Sequence, residues 1–172
     1  MIRALRARYT DAMPKQQTIE IIARGVSIHA GRLLVCRNLD GGYAYLPGGH
    51  VEFSEPAARA LVRELHEEAA IETRVGALLL TMEHSFDGGS GPHHELNLVF
   101  HVEQLGGVTL GSGSDDPPTV ESREPEIGFE WVDLAAVQDI NLRPLAMRAW
   151  LAAGMPETQG GVLSSMNLPV DV

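Results

Sequence analysis

The sequence predicts an α/β fold in which helices lie on both faces of a mixed sheet. The segment from Glu55 to Ala69 has the composition of a helix, and segments rich in β-branched and alternating apolar residues precede and follow it. A second helical segment, Arg143 to Ala153, lies near the end of the chain. Strands and helices that each carry one apolar face bury it by packing helices against a sheet. The prediction is therefore an α/β/α sandwich with a mixed central sheet.

The length of 172 residues fits a single domain with one core. We expect that domain to span residues 18–153, between an N-terminal arm, 1–17, and a C-terminal tail, 154–172. The arm lacks the apolar core of a secretory signal, and no apolar run approaches the length that spans a bilayer. The single cysteine, Cys36, excludes an internal disulfide and suits a reducing compartment. These features predict a cytoplasmic protein with no membrane partner.

The charge of the chain limits its ligands. Acidic residues outnumber basic ones by 23 to 13, which gives a formal net charge of −10. Duplex DNA and long RNA normally bind a basic surface, so this charge argues against a nucleic acid polymer. A small phosphate compound remains compatible with it, because a bound metal ion can neutralise the phosphates.

The segment before the helix predicts three strands. Residues 19–39 contain two β-branched or apolar runs joined at Ala30-Gly31, which is a turn signal. Tyr43 to Leu46 predicts a third, short strand that leads into Gly48 and Gly49. Because glycine has no side chain beyond Cα, this pair lets the backbone approach a ligand closely.

The helix predicted over Glu55 to Ala69 has identifiable ends. Ser54 can cap its start, and Pro56 is tolerated in the first turn. No glycine or further proline follows within the segment, and its Ala, Leu, Arg and Glu residues are good helix formers. We therefore expect one uninterrupted helix of about four turns.

The segment after the helix predicts further strands and a final helix. Alternating apolar residues predict a strand over His94–Leu105, and a Leu-rich run predicts another before it. The Leu-rich run spans Val75–Met82. The remaining expectations, in chain order, are a flexible loop at Asp87–Pro92, little regular structure at Gly106–Pro125, a strand at Gly128–Val132, a helical turn at Asp133–Gln138 and a helix at Arg143–Ala153.

Three carboxylates crowd one side of the central helix. Glu64, Glu67 and Glu68 follow the i, i+3, i+4 spacing, so they project within about 100° of arc. Their repulsion is relieved if a divalent cation lies between them, and hard oxygen ligands suit Mg²⁺ or Mn²⁺. A solvated acidic face is the alternative interpretation of these residues.

The wider spacing favours the metal site. Gly49, five residues, Glu55, seven residues and then Arg63-Glu64-Leu65-x-Glu67-Glu68-x-x-Ile71 form one pattern. Six such polar or glycine positions recur by chance in roughly one chain of this length in 10⁵. The pattern resembles the Nudix box, and the chain is similar to Nudix hydrolases of the MutT type. Ala70 departs from it, because the family has glycine there to end the helix in a left-handed conformation.

The resemblance implies a Nudix-type fold and a set of site residues. By resemblance, Glu64, Glu67, Glu68 and the carbonyl of Gly49 bind Mg²⁺, with Mn²⁺ as the alternative ion. Glu64 doubles as a candidate general base in some members of the family, and Arg63 orients a neighbouring carboxylate or loop carbonyl. Glu55 and Gly48 are expected to shape the site without touching the metal.

Residues outside the box complete the predicted site. Some family members take a base or a further metal ligand from a late loop, for which Glu121, Glu124 and Glu126 are candidates here; we select Glu126. Tyr45, Phe86 and His94 are candidate substrate-binding residues, although a core or turn position is an equal alternative for each aromatic residue.

These expectations define two functional hypotheses. The first is a Mg²⁺-dependent pyrophosphohydrolase that cleaves a nucleoside diphosphate linked to another group, such as an ADP-ribose-like compound, a nucleotide sugar or a modified nucleoside triphosphate. The second is a non-catalytic Nudix-like domain that binds or senses a nucleotide. Such domains often lose the box carboxylates, which this chain keeps. Both hypotheses predict a small nucleotide as partner, and a homodimer stays open.

Overall fold

The structure, a computed structural model, describes residues 18–88, 91–106, 115–157 and 162–164. The elements in this part of the chain are β1 (Ile19–Val26), β2 (Ile28–His29), β3 (Arg32–Asn38), β4 (Tyr43–Tyr45), α1 (Ala57–Ala69), β5 (Glu72–Gly88), β6 (Gly91–Gly106), β7 (Ile127–Asp133), a 3₁₀ helix (Leu134–Asp139), α2 (Leu145–Ala152) and β8 (Val162–Ser164). The predicted α/β fold with flanking helices and mixed strand directions is confirmed.

The strands divide between two sheets of four strands each. In the first sheet the order is β1-β6-β5-β8, with β1 parallel to β6, β5 antiparallel to β6 and β8 parallel to β5. In the second sheet, β3 pairs antiparallel with β2, β4 and β7. The first strand expected within residues 19–39 is interrupted at Ser27, where the chain passes from one sheet to the other. The turn at Ala30-Gly31 joins β2 to β3, as predicted.

The two helices cover opposite faces of the strands. Because successive side chains of a strand point to opposite faces, Leu34 of β3 packs with Leu61 and Leu65 of α1. Its neighbours Leu33 and Val35 belong to the other buried cluster, which contains the apolar residues of α2. The helix α1 is thereby fixed against the first half of the chain, and its remaining face is free to carry the site.

The start of α1 differs from the prediction. The helix begins at Ala57 and Pro56 is its N-terminal cap residue, with no side-chain hydrogen bond to the helix. Ser54 does not cap it, because the chain passes through that residue in a left-handed conformation, with φ of 65°. Pro56 can take this position because its fixed φ is compatible with the first turn. Proline has no backbone N–H, but the N–H groups at the start of a helix have no partner within the helix, so no hydrogen bond is lost.

The end of α1 keeps the geometry that glycine would favour. Ala70 has φ of 55° and ψ of 25°, and its N–H donates to the carbonyl of His66 at 2.9 Å. The N–H of Ile71 donates to the carbonyl of Leu65 at 3.2 Å. The departure from the family pattern therefore changes the residue and not the backbone, and the Cβ of Ala70 is held in a conformation that costs about 1 kcal/mol relative to glycine.

Substituting Ala70→Gly is expected to stabilise the protein by about 1 kcal/mol, because glycine removes the Cβ strain of the left-handed cap. For a chain of this size the unfolding temperature rises by about 2–4 °C, measurable by calorimetry. Ala58→Gly, within the same helix, is the matched control and should lower the unfolding temperature. An unchanged or lower unfolding temperature for Ala70→Gly would show that the Cβ of Ala70 is not strained.

The prediction of a flexible loop at Asp87–Pro92 is wrong for the described residues of that segment. The long strands β5 and β6 continue into it, with Asp87 paired to Pro92 and Gly88 to Gly91. This hairpin extends the sheet on one side of the later site. Residues 1–17, the predicted arm, lie outside the described residues, and β8 falls within the range predicted as a tail. None of the described helices is long and apolar enough to cross a membrane.

Candidate active site

A cavity of about 630 Å³ opens beside the carboxylate face of α1. Its walls come from β1, from the Gly48-Gly49 turn, from the β5–β6 hairpin and from the loop before β7. The volume is in the range of small-molecule sites in proteins. Because α1 and both sheets contribute residues to it, the cavity depends on the complete fold.

Arg63 organises the carboxylates next to this cavity. Its Nε and Nη2 donate to the two carboxylate oxygens of Glu55, each at 3.0 Å, which is a bidentate pair. Its Nη1 donates to Glu64 at 2.8 Å and to Glu67 at 3.1 Å. Its Nη2 also donates to the carbonyl of His50 at 2.9 Å. One guanidinium thus ties the start of the helix, its acidic face and the preceding loop together.

The charges shift the pKa values of this group in the directions expected of ion pairs. The hydrogen bonds from Arg63 lower the pKa of Glu55 below its usual value. The hydrogen bonds that Arg63 donates, those to Glu55 first, raise its own pKa. The expected role of Glu55 in fixing the loop is consistent with these contacts, because its carboxylate binds Arg63 and the N–H of Glu52 and does not line the cavity.

Glu64 and Glu68 line the cavity together. Burial, followed by the negative charge of Glu64, raises the pKa of Glu68 to about 7. The Oε2 atom of Glu68 is buried and has no hydrogen-bond partner. A buried carboxylate oxygen without a donor is costly, and a bound cation would satisfy it.

Glu67 lies apart from this pair. Its side chain is 57% exposed, it binds Arg63, and it is not among the residues that line the cavity. In the described part of the chain, no three His, Cys, Asp or Glu side chains converge in a group that could hold a metal ion. The bond from Arg63 draws the carboxylate of Glu67 to the outer side of the helix.

Gly48 and Gly49 place the backbone against both Glu64 and β1. The N–H of Ala23 donates to the carbonyl of Gly49 at 2.9 Å, and the guanidinium of Arg24 donates to the carbonyl of Gly48 at 2.6 Å. Gly48 has φ of 125°, and a Cβ there would overlap the carbonyl oxygen of Ala23. A Cβ on Gly49 would lie 2.5–2.8 Å from the carboxylate oxygens of Glu64.

Gly49→Ala is expected to lower kcat about 10- to 100-fold with little loss of stability. The new Cβ displaces the flexible carboxylate of Glu64, and a shift of about 1 Å in a reacting group has effects of this size. Gly48→Ala is the contrasting variant, because its Cβ meets rigid backbone at a positive φ and should destabilise the fold. Steady-state kinetics and thermal unfolding of both variants separate the two effects. Full activity of Gly49→Ala would contradict the placement of Glu64.

The late loop contributes a different acid from the predicted one. Glu124 lines the cavity, whereas Glu126 is exposed and does not line it. Of the two acids, Glu124 is the one at the cavity, and the role expected for Glu126 stays a prediction. The physical reason is the anchoring of the loop: the N–H of Arg123 donates to the carbonyl of Glu68 at 2.7 Å, and its guanidinium donates to the carbonyl of His66 at 3.3 Å. These bonds hold the residue next to Arg123 against the last turn of α1.

Two of the three predicted substrate-binding residues line the cavity. Tyr45 lies there with Arg24 over its ring, 5.0 Å from the ring centre, and Phe86 lies there stacked against His84 and His93. His94 does not line the cavity, because side chains alternate along β6 and the odd-numbered residues face it. The structure does not place His94 at the cavity, and its role in substrate binding stays a prediction.

Three further residues at the cavity were not predicted from the sequence. Glu95 and Asn97 of β6 and Arg24 of β1 line the cavity. Asn97 is only 2% exposed, which is unusual for a polar side chain, and its position between apolar residues on a strand was the available signal. For Arg24, nothing in the sequence distinguishes it from a surface arginine.

A model of the Nudix domain matches residues 21–153 of the chain. The chain belongs to the Nudix family. Of the residues in its Nudix box, Gly49, Glu64 and Glu68 line the cavity.

The chain is also similar to individual proteins. A MutT Nudix hydrolase from Burkholderia pseudomallei has 26% identity and a TM-score of 0.56, and the match covers 83% of this chain and 100% of that one. A MutT protein from Methanosarcina mazei Go1 has 20% identity and a TM-score of 0.61, over 80% and 94% of the two chains, which shows a shared fold. An octanoyltransferase from Myxococcus xanthus is 32% identical over 130 residues, 72% of this Nudix chain. The match spans about a third of that relative, 32% of its length.

Proposed function

We propose that this Nudix domain is a Mg²⁺-dependent pyrophosphohydrolase, with Mn²⁺ as the alternative ion. Its substrate is a nucleoside diphosphate linked to another group, which it cleaves to a nucleoside monophosphate and the phosphorylated remainder. The observation that carries the proposal is the unpartnered, buried Oε2 of Glu68 beside Glu64 in a cavity of ligand size. A buried carboxylate with a raised pKa and no donor, next to a second carboxylate, fits a cation site.

The donor set also fits a hard cation. The carboxylates of Glu64, Glu68 and Glu124 line the same cavity without converging on one point, and the carbonyl of Gly49 keeps a lone pair besides the one that accepts from Ala23. Oxygen donors of this kind suit Mg²⁺, which is commonly held by few carboxylates together with substrate phosphates. When bound, the ion neutralises phosphate charge and makes a water molecule more acidic. Glu67 would join this set if its carboxylate turned from Arg63 towards the cavity.

The chain's own residues supply positioning and proton transfer. Arg63 holds the Glu64 carboxylate in place, and that carboxylate can accept the proton of the attacking water. Arg24 and Arg143, both at the cavity, provide positive charge for the phosphates. The aromatic rings of Tyr45, on β4, and of Phe86, on β5, line the same cavity and provide apolar surface for a base or sugar. Charge neutralisation and positioning are the main requirements for phosphoric anhydride hydrolysis.

Glu124→Gln is expected to lower kcat about tenfold or more, because Glu124 brings a third carboxylate to the cavity. Glu126→Gln, two residues away on the same exposed loop, is the matched control and should leave kcat unchanged. Both are measured on the substrate that gives turnover. Equal losses in the two variants, or a loss in Glu126→Gln alone, would contradict this role of Glu124.

The proposal is tested by chromatographic product analysis of the purified protein with Mg²⁺ or Mn²⁺. The panel contains ADP-ribose, nucleotide sugars, dinucleoside polyphosphates, and normal and oxidised nucleoside triphosphates. We expect metal-dependent release of a nucleoside monophosphate from one class. Tight nucleotide binding without turnover of any compound would contradict hydrolysis and favour a nucleotide sensor.

A further inference from the structure

One wall of the cavity carries an acidic group that the hydrolytic chemistry does not use. Glu95 of β6 lines the cavity, and its Oε2 accepts a hydrogen bond from the amide of Asn97 at 3.1 Å. Asn97 is buried and its side chain is therefore fixed. A carboxylate has about four lone-pair positions, so this single bond from a neutral donor orients Glu95 and leaves both oxygens able to accept more.

Three imidazoles lie near Glu95: His84 pairs with it across β5 and β6 and lines the same cavity, whereas His50 and His93 contact Glu20. The carboxylate of Glu20, which pairs with Glu95 across β1 and β6, lies between His50 and His93. One of its oxygens is 3.4 Å from Nε2 of His50 and the other is 3.6 Å from Nδ1 of His93. These two histidines therefore turn to Glu20, and Glu95 presents a negative charge to the cavity. A ligand group at this place must bring hydrogen-bond donors, because a phosphate there would be repelled.

The strand register gives the distance between Glu95 and the catalytic carboxylates. The N–H of Ala23 binds the carbonyl of Gly49, next to Glu64, and Glu20 pairs with Glu95. Ala23 and Glu20 are three residues apart on β1, which corresponds to about 10 Å along the strand. This span is comparable to that between the phosphate and the base edge of a nucleotide, so a substrate whose diphosphate lies at Glu64 places its base near Glu95.

The four bases differ in the hydrogen-bond donors that they can present to a carboxylate. Two neighbouring carboxylate oxygens accept two neighbouring donors, and guanine alone presents two, its N1–H and its N2 amino group. Adenine and cytosine present one amino donor beside an acceptor nitrogen, and uracil presents one N–H between two carbonyls. An acceptor nitrogen or carbonyl opposite a carboxylate oxygen is left without a hydrogen bond.

We propose that Glu95, positioned by Asn97, selects a guanine base, so that the substrate of the proposed hydrolase is a guanosine diphosphate derivative. This inference rests on the proposed function for the orientation of the nucleotide. Glu95 binds the base and does not touch the reacting phosphates, so its contribution falls on binding more than on kcat.

The test compares ligands that differ only in the base. Equilibrium binding of GMP, AMP, UMP and CMP is measured by calorimetry with Mg²⁺, and kcat/KM is measured for GDP-, ADP-, UDP- and CDP-glucose and for the four nucleoside triphosphates. The proteins are the wild type, Glu95→Gln, and Glu103→Gln as the matched control. Glu103 lies on the same strand outside the cavity and pairs with Arg74 at 3.2 Å.

We expect the wild type to bind GMP about 10- to 100-fold more tightly than the other three nucleotides. In Glu95→Gln the amide offers one acceptor and one donor, which matches the edge of adenine. The preference for GMP over AMP should therefore fall by at least about tenfold, and Glu103→Gln should keep it.

Three results would overturn the inference: no preference for GMP in the wild type, an equal weakening of all four nucleotides in Glu95→Gln, or no detectable binding of any of them. The second would assign Glu95 to the ribose. Because binding does not require turnover, guanine-selective binding without hydrolysis would overturn the proposed function and leave the selectivity of Glu95 intact.

Discussion

Glu68→Gln is expected to lower kcat by about a hundredfold or more while raising the stability of the metal-free protein above pH 7. The two effects have one cause. The carboxylate of Glu68 lies in the cavity with a buried, unpartnered Oε2 and faces the charge of Glu64. A neutral amide removes the repulsion and the burial of a charge, and it also removes a negative oxygen that the proposed cation needs.

The direction of the pH dependence follows from the raised pKa. The pKa of Glu68 is about 7 in the folded protein and 4.5 in the reference state, so the folded protein binds the proton more tightly than the unfolded chain does. Below about pH 4.5 the group is neutral in both states and has no effect. As the pH rises from 4.5 to 7, the folded state loses stability, and the loss above pH 7 is about 3 kcal/mol.

Denaturant unfolding in a chelator from pH 4.5 to 8 measures this contribution for the wild type and for Glu68→Gln. The curves should converge at low pH and separate above pH 7, with the variant more stable. Glu67→Gln is the control for stability, because Glu67 is exposed and its removal should leave the pH dependence nearly unchanged. Wild-type kcat for Glu68→Gln at saturating Mg²⁺ would contradict the assignment of the site.

Arg63→Ala is expected to lower kcat/KM by about a hundredfold and to lower the unfolding temperature. This side chain binds Glu55 through two parallel bonds and also holds Glu64, Glu67 and the carbonyl of His50. Without the guanidinium, the carboxylates lose the positive charge that they share, and the loop before α1 loses the hydrogen bond to the carbonyl of His50. A misplacement of about 1 Å at reacting groups is sufficient for a loss of this size.

Arg63→Lys tests whether charge or geometry matters. Lysine keeps the positive charge and cannot form the planar bidentate pair with Glu55, so we expect it to recover less than about a tenth of the lost activity. Glu55→Gln should reproduce part of the defect, and the double variant with Arg63→Ala should be less than additive, because both changes break the same contact. Additive losses in this cycle would show that Arg63 acts independently of Glu55.

The sequence predicted the residues of the site where they lie within one helix. The i, i+4 spacing of Glu64 and Glu68 fixes their relative direction whatever surrounds the helix, and both line the cavity. Glu67 has the same spacing argument behind it and still lies outside, because Arg63 is close enough to bind it on the outer side. Spacing gives a direction on a helix, and the position of a counterion decides which of two rotamers a long side chain adopts.

Predictions made on loops and strands were less exact for identifiable reasons. Glu124 and Glu126 are equivalent as acids in an irregular segment, and only the bond from Arg123 to the carbonyl of Glu68 distinguishes them. His94 was preferred to its neighbours on β6 for its residue type, whereas the pairing of β6 with β1 and β5 sets which alternate residues face the cavity. The conformation of Ala70 could not be inferred, because tertiary packing of α1 overrides a cost of about 1 kcal/mol.

The sequence alone determined the family, the α/β class, the helix that carries the box and the pair of carboxylates on it. These features depend on residues close together in the chain, where backbone periodicity fixes geometry. Only the tertiary structure decided that the strands form two sheets, that Glu124 lines the same cavity as Glu64 and Glu68, and that Glu95 lies about 10 Å along the strands from the Gly49 turn. These relations join residues far apart in the chain, and their geometry follows from strand pairing and packing that no local pattern encodes.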